Sequence, residues 1–430
     1  MNTTVRPRLY LWNACLGNFF EHYDTALFSV LSPFLAALIF PEQDYVTALI
    51  LTYASLPLSM IARPVGALFF GYIGDLYGRA QALFLTLCGM SIVSLAISLT
   101  PTYAQIGTWA PLIFFIWRLL QNFLAAGETM GGAVFLLEHL PEYQQDVWSG
   151  YYNASTIGGF LLASLGVTIL SNYQLLETYG WRLLYMFGTL TGLFGCLIRG
   201  ALPSDLNNNL NSVRKRWQCG EALLECINIF RTHRKALIII MFSSGFSYAN
   251  YAVSLLLLNG WIPLISNYTK EYMVQLNTLL LVIDFCALPF FGWLASKYSR
   301  QKVMLAGSLG VVFCSIPLLM LLNGANLTLI CFIRILFVLL GVAHTAPFYA
   351  WVQDLVSSRH RYLLLSFGYA VGSQLLGAPT AALSLWLFKQ TGMIASIAWY
   401  WWILAVVNSY ILMTQLASCS LNKSLIKNSK

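Results

Sequence analysis

Charge is what this sequence has least of. Only 9% of its 430 residues are Asp, Glu, Lys or Arg, where a soluble domain carries about 25%, so the chain cannot cover a soluble surface. Paired cysteines are missing too. The nine Cys are scattered, mostly inside apolar runs and with no CxxC, which leaves no disulfide framework and no zinc site. GxxxxGK[ST], HExxH and GxSxG do not occur, so ATP-driven pumping and the common hydrolase chemistries lack a signature. No enzyme activity, cofactor or metal is expected. A cleavable signal is not expected either. Arg6 and Arg8 precede a long first apolar run, but Glu21 and Asp24 interrupt it, unlike a signal core.

What is present is apolar length. Hydrophobic residues make up 58% of the chain and the mean hydropathy is +0.68. Runs long enough to cross a bilayer, about 20 residues each, account for most positions. Segments of that length satisfy their backbone groups in lipid as helices, not as barrel strands. The expected fold class is therefore all-α, a polytopic membrane protein. Twelve spans are expected, at 11–38, 47–73, 81–100, 111–137, 148–170, 183–201, 236–264, 274–295, 303–322, 327–351, 362–388 and 397–416.

The net charge of +8 could suggest nucleic acid, but its placement speaks for topology instead. Of 24 Lys and Arg, eighteen fall in the N-terminus, the even-numbered loops (with Arg199 at the end of the sixth span counted to its loop) or the tail, and three (Arg182, Lys270, Lys389) in odd-numbered loops. By the positive-inside rule both termini are cytoplasmic. The longest connection divides the chain into 1–201, a linker at 202–235, and 236–430 with a short basic tail. The linker's second half, with Leu223, Leu224, Ile227 and Phe230, reads either as an interfacial amphipathic helix or as a solvated connection.

Two features repeat along the chain. RLLQNFLAAGETMGGAVFLLE places Arg118, Glu128 and Glu138 ten residues apart, and RILFVLLGVAHTAPFYAWVQD places Arg334, His344 and Asp354 at the same intervals, 216 residues later. Gly71, Asp75 and Arg79, with Gly78 in the turn, are matched by Gly292, Ser296 and Arg300. Two copies of one bundle are the expected organisation. In the first copy an acidic helix end, a glycine turn and an arginine suit a latch, in which Asp75 accepts bonds from a neighbouring helix N-terminus.

The remaining charges lie inside spans. Glu21 and Asp24 are three apart and share a helix face. Together with Arg63, Arg118, Glu128, Asp284 and Arg334 they would cost roughly 20 kcal/mol if unpaired, at about 3 kcal/mol each. Such expense requires a wet cavity or salt bridges. Glu128 and Glu21 are the expected proton carriers, because desolvation disfavours an ionised carboxyl. Arg118 and Arg334 keep their protons and serve as counter-charges or anion sites. For Asp284 structural pairing and a substrate role both remain open. Trp261, Tyr349, Trp351 and Tyr369 either line a cavity that binds a cation or pack at the interface.

Three stretches, GNFFEHYD, RPVGALFFGYIGDLYGR and RLLQNFLAAGETMGGAVFLLEH, carry a resemblance. Over nearly its whole length the chain resembles the major facilitator superfamily, and most closely its metabolite:proton symporter branch of proline/betaine, 2-oxoglutarate and shikimate permeases. The resemblance implies two six-helix bundles rocking about a central site in a bacterial inner membrane. It implies proton-coupled transport of a small polar metabolite, with no nucleic-acid partner and a monomeric state. Counting Arg63, Arg118 and Arg334 against Glu21, Asp24, Glu128 and Asp284 leaves one negative charge, which favours a proline- or betaine-like zwitterion. An organic-acid symporter, an efflux antiporter and a sensor that no longer transports are the rivals. The loop departs from the family pattern at Leu76, Ala80 and Ser296, and His22 stands where the family usually has tryptophan.

Overall fold

A computed structural model describes residues 7–39, 45–200, 219–266, 268 and 270–428. Among the described residues thirteen long helices follow one another and there is no strand. Six precede the linker: α1 (Pro7–Ile39), α2 (Tyr45–Tyr77), α3 (Arg79–Leu99), α4 (Trp109–Glu138), α5 (Glu142–Asn172) and α6 (Trp181–Gly200). The second half of the linker forms α7 (Cys219–Thr232), while 202–218 lie outside the described residues. Six more follow: α8 (Arg234–Ile265), α9 (Lys270–Tyr298), α10 (Arg300–Met320), α11 (Leu327–Asp354), α12 (Ser358–Thr391) and α13 (Ser396–Asn428). Among the described residues, nine of these helices carry a window long and apolar enough to cross a membrane. The protein is an all-α, polytopic membrane protein.

The sequence sets where helices start and stop. Pro7 opens α1, where its missing N–H costs nothing and its fixed φ suits a helix start. The Asn326 side chain accepts from Leu329 N–H and caps α11, satisfying a donor that has no intrahelical partner. Gly392, in the left-handed region at φ 66°, ends α12. Between α2 and α3 the chain turns on Gly78 at φ 103°, and between α9 and α10 on Ser299 at φ 122°. The second repeat thus keeps the turn without the glycine, and a side chain there carries local backbone strain.

Among the described residues three of these helices leave regular α geometry. Pro347 cannot donate to the carbonyl a turn earlier, and α11 breaks between Thr345 and Phe348. α8 widens to a π-turn at Ala252–Leu257, and α12 at Gly372–Gly377.

The chain clusters into two compact units. The first comprises 1–139, 155–233 and 356–370, and the second 140–154, 234–355 and 371–430. The units follow the two sequence halves except at the start of α5, which groups with the later half, and the start of α12, which groups with the earlier one. In the first unit a core of Tyr23, Leu27, Phe28 and Leu31 from α1 meets Val93, Ile97, Phe114, Val167, Trp181 and Tyr185. α7 belongs to this unit. Its Cys226 and Ile229 are buried, Phe230 stacks on Phe367 at 4.6 Å, and Tyr72 donates to Glu225 at 3.3 Å. One face of α7 is therefore a packed protein face, with Leu224 left exposed.

Candidate functional site

Burial decides which intramembrane charges can act. In the first unit α1, α2 and α4 bring one cluster together. Glu21 Oε2 lies 2.7 Å from His22 Nδ1, and Oε1 lies 3.9 Å from an Arg63 guanidinium nitrogen. The Thr25 and Thr129 hydroxyls donate to the same carboxylate at 3.4 Å. Arg63 spends its Nε–H on Asn122 at 3.0 Å. His22 Nδ1 is also 2.9 Å from Asn18 O, and one proton on that nitrogen cannot serve both acceptors fully. Glu21 is thus buried, lightly held, and within reach of one loose cation.

Arg118 sits deeper on α4. One of its NH groups donates to Gln121, its plane lies 4.0 Å over Phe28, and its Nε has no partner among the described residues. Asp24 takes a 2.6 Å bond from Ser94 on one oxygen and nothing on the other. A buried donor left unpaired beside a buried acceptor left unpaired is costly in a finished core, and suits a site awaiting a ligand with both charges.

Glu128 is placed otherwise. It is fully buried and accepts from Thr86 on α3 at 3.2 Å, so it lies in the α3–α4 packing. The neighbouring Thr129 turns towards Glu21.

In the second unit Arg334 is fully buried. It donates to Asn277 Oδ1 at 2.9 Å, to Ser254 O at 3.2 Å and to Met273 O at 3.5 Å. Ser254 lies in the π-turn of α8, where the change of register leaves carbonyls in want of donors. Arg334 ties α8, α9 and α11 together. His344, also fully buried, lies 3.3 Å from both the hydroxyl and the carbonyl of Ser243 and 3.5 Å from Asn408. Trp261 is buried edge-on against Phe388 at 5.6 Å. Among the described residues Asp284 accepts only from the Tyr251 hydroxyl, at 3.4 Å.

The helix ends carry two further clusters, one in each unit. In the first, Asp75 receives the backbone N–H of Tyr362 at 3.2 Å and of Leu363 at 2.9 Å, at the start of α12. Arg79 pairs with Glu138 and donates to Ser358 O at 3.1 Å, and Arg361 pairs with Glu138 at 2.7 Å. The Tyr362 ring lies against Gly74 and Gly131, where a Cβ would collide with it, and its hydroxyl donates to Gly127 O. Gly71 faces the Leu363 backbone in the same way.

In the second cluster Arg300 holds Asp146 at 2.9 Å and Asp354 at 2.7 Å, and donates to Ala350 O at 3.0 Å. Ser149 and Asn153 of α5 donate to Ala346 O and Thr345 O at 2.6 and 3.0 Å, satisfying carbonyls at the break in α11. Ser296 bonds back to Trp293 O of its own helix at 2.7 Å. Asp146, Ser149, Asn153, Arg361 and Tyr362 were not singled out from the sequence. Asp146 and Tyr362 each lie eight residues past the acidic end of α4 or α11, a signal hidden by their unlike side chains.

Comparison with known proteins bears on the fold and the family. A family model described as Major Facilitator Superfamily matches residues 14–283. A Staphylococcus haemolyticus protein provisionally named a proline/betaine transporter is 28% identical over 95% of this chain and 87% of its own. The glycine betaine/proline/ectoine/pipecolic acid transporter OusA of Dickeya dadantii is 25% identical over 94% of this chain and 82% of its own. Among solved structures, the proton:xylose symporter XylE bound to 6-bromo-6-deoxy-D-glucose superposes with a TM-score of 0.75 at 15% identity, covering 96% of each chain. The E. coli fucose:proton symporter FucP gives 0.68 at 16% identity, over 94% of this chain and 98% of that one.

Proposed function

The chain belongs to the Major Facilitator Superfamily, and from that premise we propose that it is a proton-coupled symporter of a proline- or betaine-like zwitterion. It is a transporter of a small molecule across the membrane it is embedded in, not an enzyme. The proposed coupling ion is the proton, taken up on Glu21. The observation that carries this is the lightly held Glu21, whose nearest fixed cation, Arg63, stands 3.9 Å off and is committed to Asn122. Among the described residues no Lys or Arg locks that carboxylate in a close ion pair.

The solute's carboxylate goes to Arg118, which has an unpartnered Nε and the Phe28 face beneath it. Its cationic end goes to the free oxygen of Asp24 or to an aromatic face. Arg334, whose Nε is likewise unpartnered but whose NH groups already have three acceptors around them, is a structural clamp in this reading. The names of the two relatives support the solute class. The first turns of α12 leave and rejoin Asp75 as the protein alternates between its two access states. Residues 1–201 and 236–430 are the two six-helix bundles, joined by 202–235, with both termini cytoplasmic in the inner membrane of a bacterium. The protein acts as a monomer and without a nucleic-acid partner.

Uptake of radiolabelled proline and glycine betaine into proteoliposomes, driven only by an imposed pH gradient, tests this. Accumulation blocked by unlabelled betaine and unaffected by 2-oxoglutarate is the expected result. Block by dicarboxylates alone refutes the zwitterion, and absence of any pH-driven accumulation refutes symport.

A further inference from the structure

Asp284 is a mid-helix carboxyl that nothing described so far uses. It lies on the inward stripe of α9 with Leu280 and Leu288 one turn to either side, and is 1% exposed. Oδ1 accepts from Tyr251, which stands at the last α-helical position before the π-turn of α8, and Oδ2 has no partner.

The charged groups on every helix packed against α9 are committed elsewhere. On α11, Arg334 is held at Asn277, two turns along α9 from Asp284, and His344 is held by Ser243 and Asn408. On α10, Arg300 is paired with Asp146 and Asp354, and Lys302 lies in that helix's first turn. The start of α5 brings Asp146, already on Arg300, and Tyr152, edge-on to Tyr349. α8 brings Tyr251, while its basic residues, Arg234 and Lys235, lie at its far end. Among the described residues no cation reaches Asp284.

The repeat sharpens the point. The 221-residue offset that pairs Arg79 with Arg300 also pairs Arg63 with Asp284. The first copy gives its charge Glu21 and Asn122, whereas the second leaves its charge alone. A buried carboxylate without a cation is costly, and a bound proton removes the charge. A metal ion would want more oxygen donors than one carboxyl and one phenol supply.

We propose that Asp284 is a second proton-binding carboxyl of the transport cycle, seated with Tyr251 in the C-terminal half and separate from Glu21. This role rests on the symport reading above, so the test has one arm that needs no solute. Infrared spectra of the purified full chain at neutral pH, in H2O and D2O, should show the C=O stretch of a protonated carboxyl. That band should be lost in Asp284→Asn and shifted in Tyr251→Phe, which removes the hydrogen-bond donor. If Asp284→Asn does not fold, Tyr251→Phe carries this arm alone, and an unshifted band overturns the proposal.

The second arm uses proteoliposomes at zero membrane potential with glycine betaine as solute. A hundredfold gradient is nulled by about one pH unit when two protons move with each solute and by about two units when one does, since each unit is a tenfold factor per proton. Asp284→Asn should move the null point from the first value to the second. A folded Asp284→Asn protein with an unchanged spectrum and an unchanged null point overturns the proposal. Absence of pH-driven betaine uptake in the native protein strikes the symport reading and leaves the spectroscopic arm to decide Asp284.

Discussion

Replacing Asp75 with asparagine should loosen the start of α12 by a calculable amount. The Asp75 side chain is 9% exposed and accepts two backbone N–H groups of the first turn, at 3.2 and 2.9 Å. Hydrogen bonds to a charged group contribute about 1.5–3 kcal/mol each, and a carboxylate at a helix N-terminus gains a further ~0.3–1 kcal/mol from the helix dipole. Asparagine keeps one carbonyl oxygen, which can still serve Leu363, but turns an NH2 group towards the Tyr362 N–H. One bond is lost, the other becomes neutral, and the dipole contribution disappears. At the low end of these ranges the net loss is about 2 kcal/mol, which is at least about a 30-fold change in the open fraction of this contact.

Amide hydrogen exchange reads that fraction directly, because an N–H exchanges when its bond opens. Tyr362 and Leu363 should exchange at least about 30-fold faster in Asp75→Asn, by the same conversion of 1.4 kcal/mol per decade. Amides deep in α4 should hold their native rates. Solute exchange across the membrane should slow, while equilibrium solute affinity changes little, because the change lies at a helix end and away from Arg118 and Asp24. Unchanged protection at Tyr362 and Leu363 in a folded variant would refute the reasoning, as would a large loss of affinity with normal exchange rates.

Two other substitutions separate roles that the sequence left together. Glu21→Gln keeps shape and hydrogen bonding but cannot titrate, and should remove the proton carried there, lowering pH-driven accumulation while leaving counterflow exchange intact. Glu128→Gln, whose parent faces Thr86 in the α3–α4 packing, should retain accumulation. The reverse result would move the proton to Glu128. Arg334→Lys forfeits the planar fork whose one nitrogen serves Ser254 O and Asn277 while the other reaches Met273 O. It should lower stability by about 1.5–3 kcal/mol, the range for a lost bond to a charged group, seen as a lower thermal midpoint in detergent with solute affinity preserved.

The fold was legible because its causes are local. Apolar runs of bilayer length give helices whatever their neighbours do, and the sparse charges mark helix ends and interior faces. Asp75 and Arg79 could be read as a latch because an acidic helix end, a turn and an arginine are adjacent in sequence. Their partner could not be read, since Tyr362 lies 287 residues away and a ring facing Gly74 and Gly131 leaves only small residues as its trace. Charge alone also failed to rank Arg118 against Arg334, or Glu21 against Glu128. Each pair looks alike along the chain. What separates them is how many partners surround each group, and that is a property of packing.

The second repeat shows why a departure from a pattern is weak ground for inferring a lost device. Ser296 stands where the first repeat has Asp75 and bonds back onto its own helix, so it offers nothing to α5. The acid has instead moved onto the docking helix. Asp146, at the start of α5, meets Arg300 from the opposite side, and Asp354 closes the group as Glu138 does in the first repeat. The first cluster receives a helix start through its backbone N–H groups, and the second through a carboxylate together with Ser149 and Asn153 on the carbonyls of the α11 break. Both repeats hold a foreign helix start beside an arginine, and they exchange which side supplies the negative charge. An altered loop motif therefore speaks for a rewired contact here, and the case for a sensor that has lost its latch weakens accordingly.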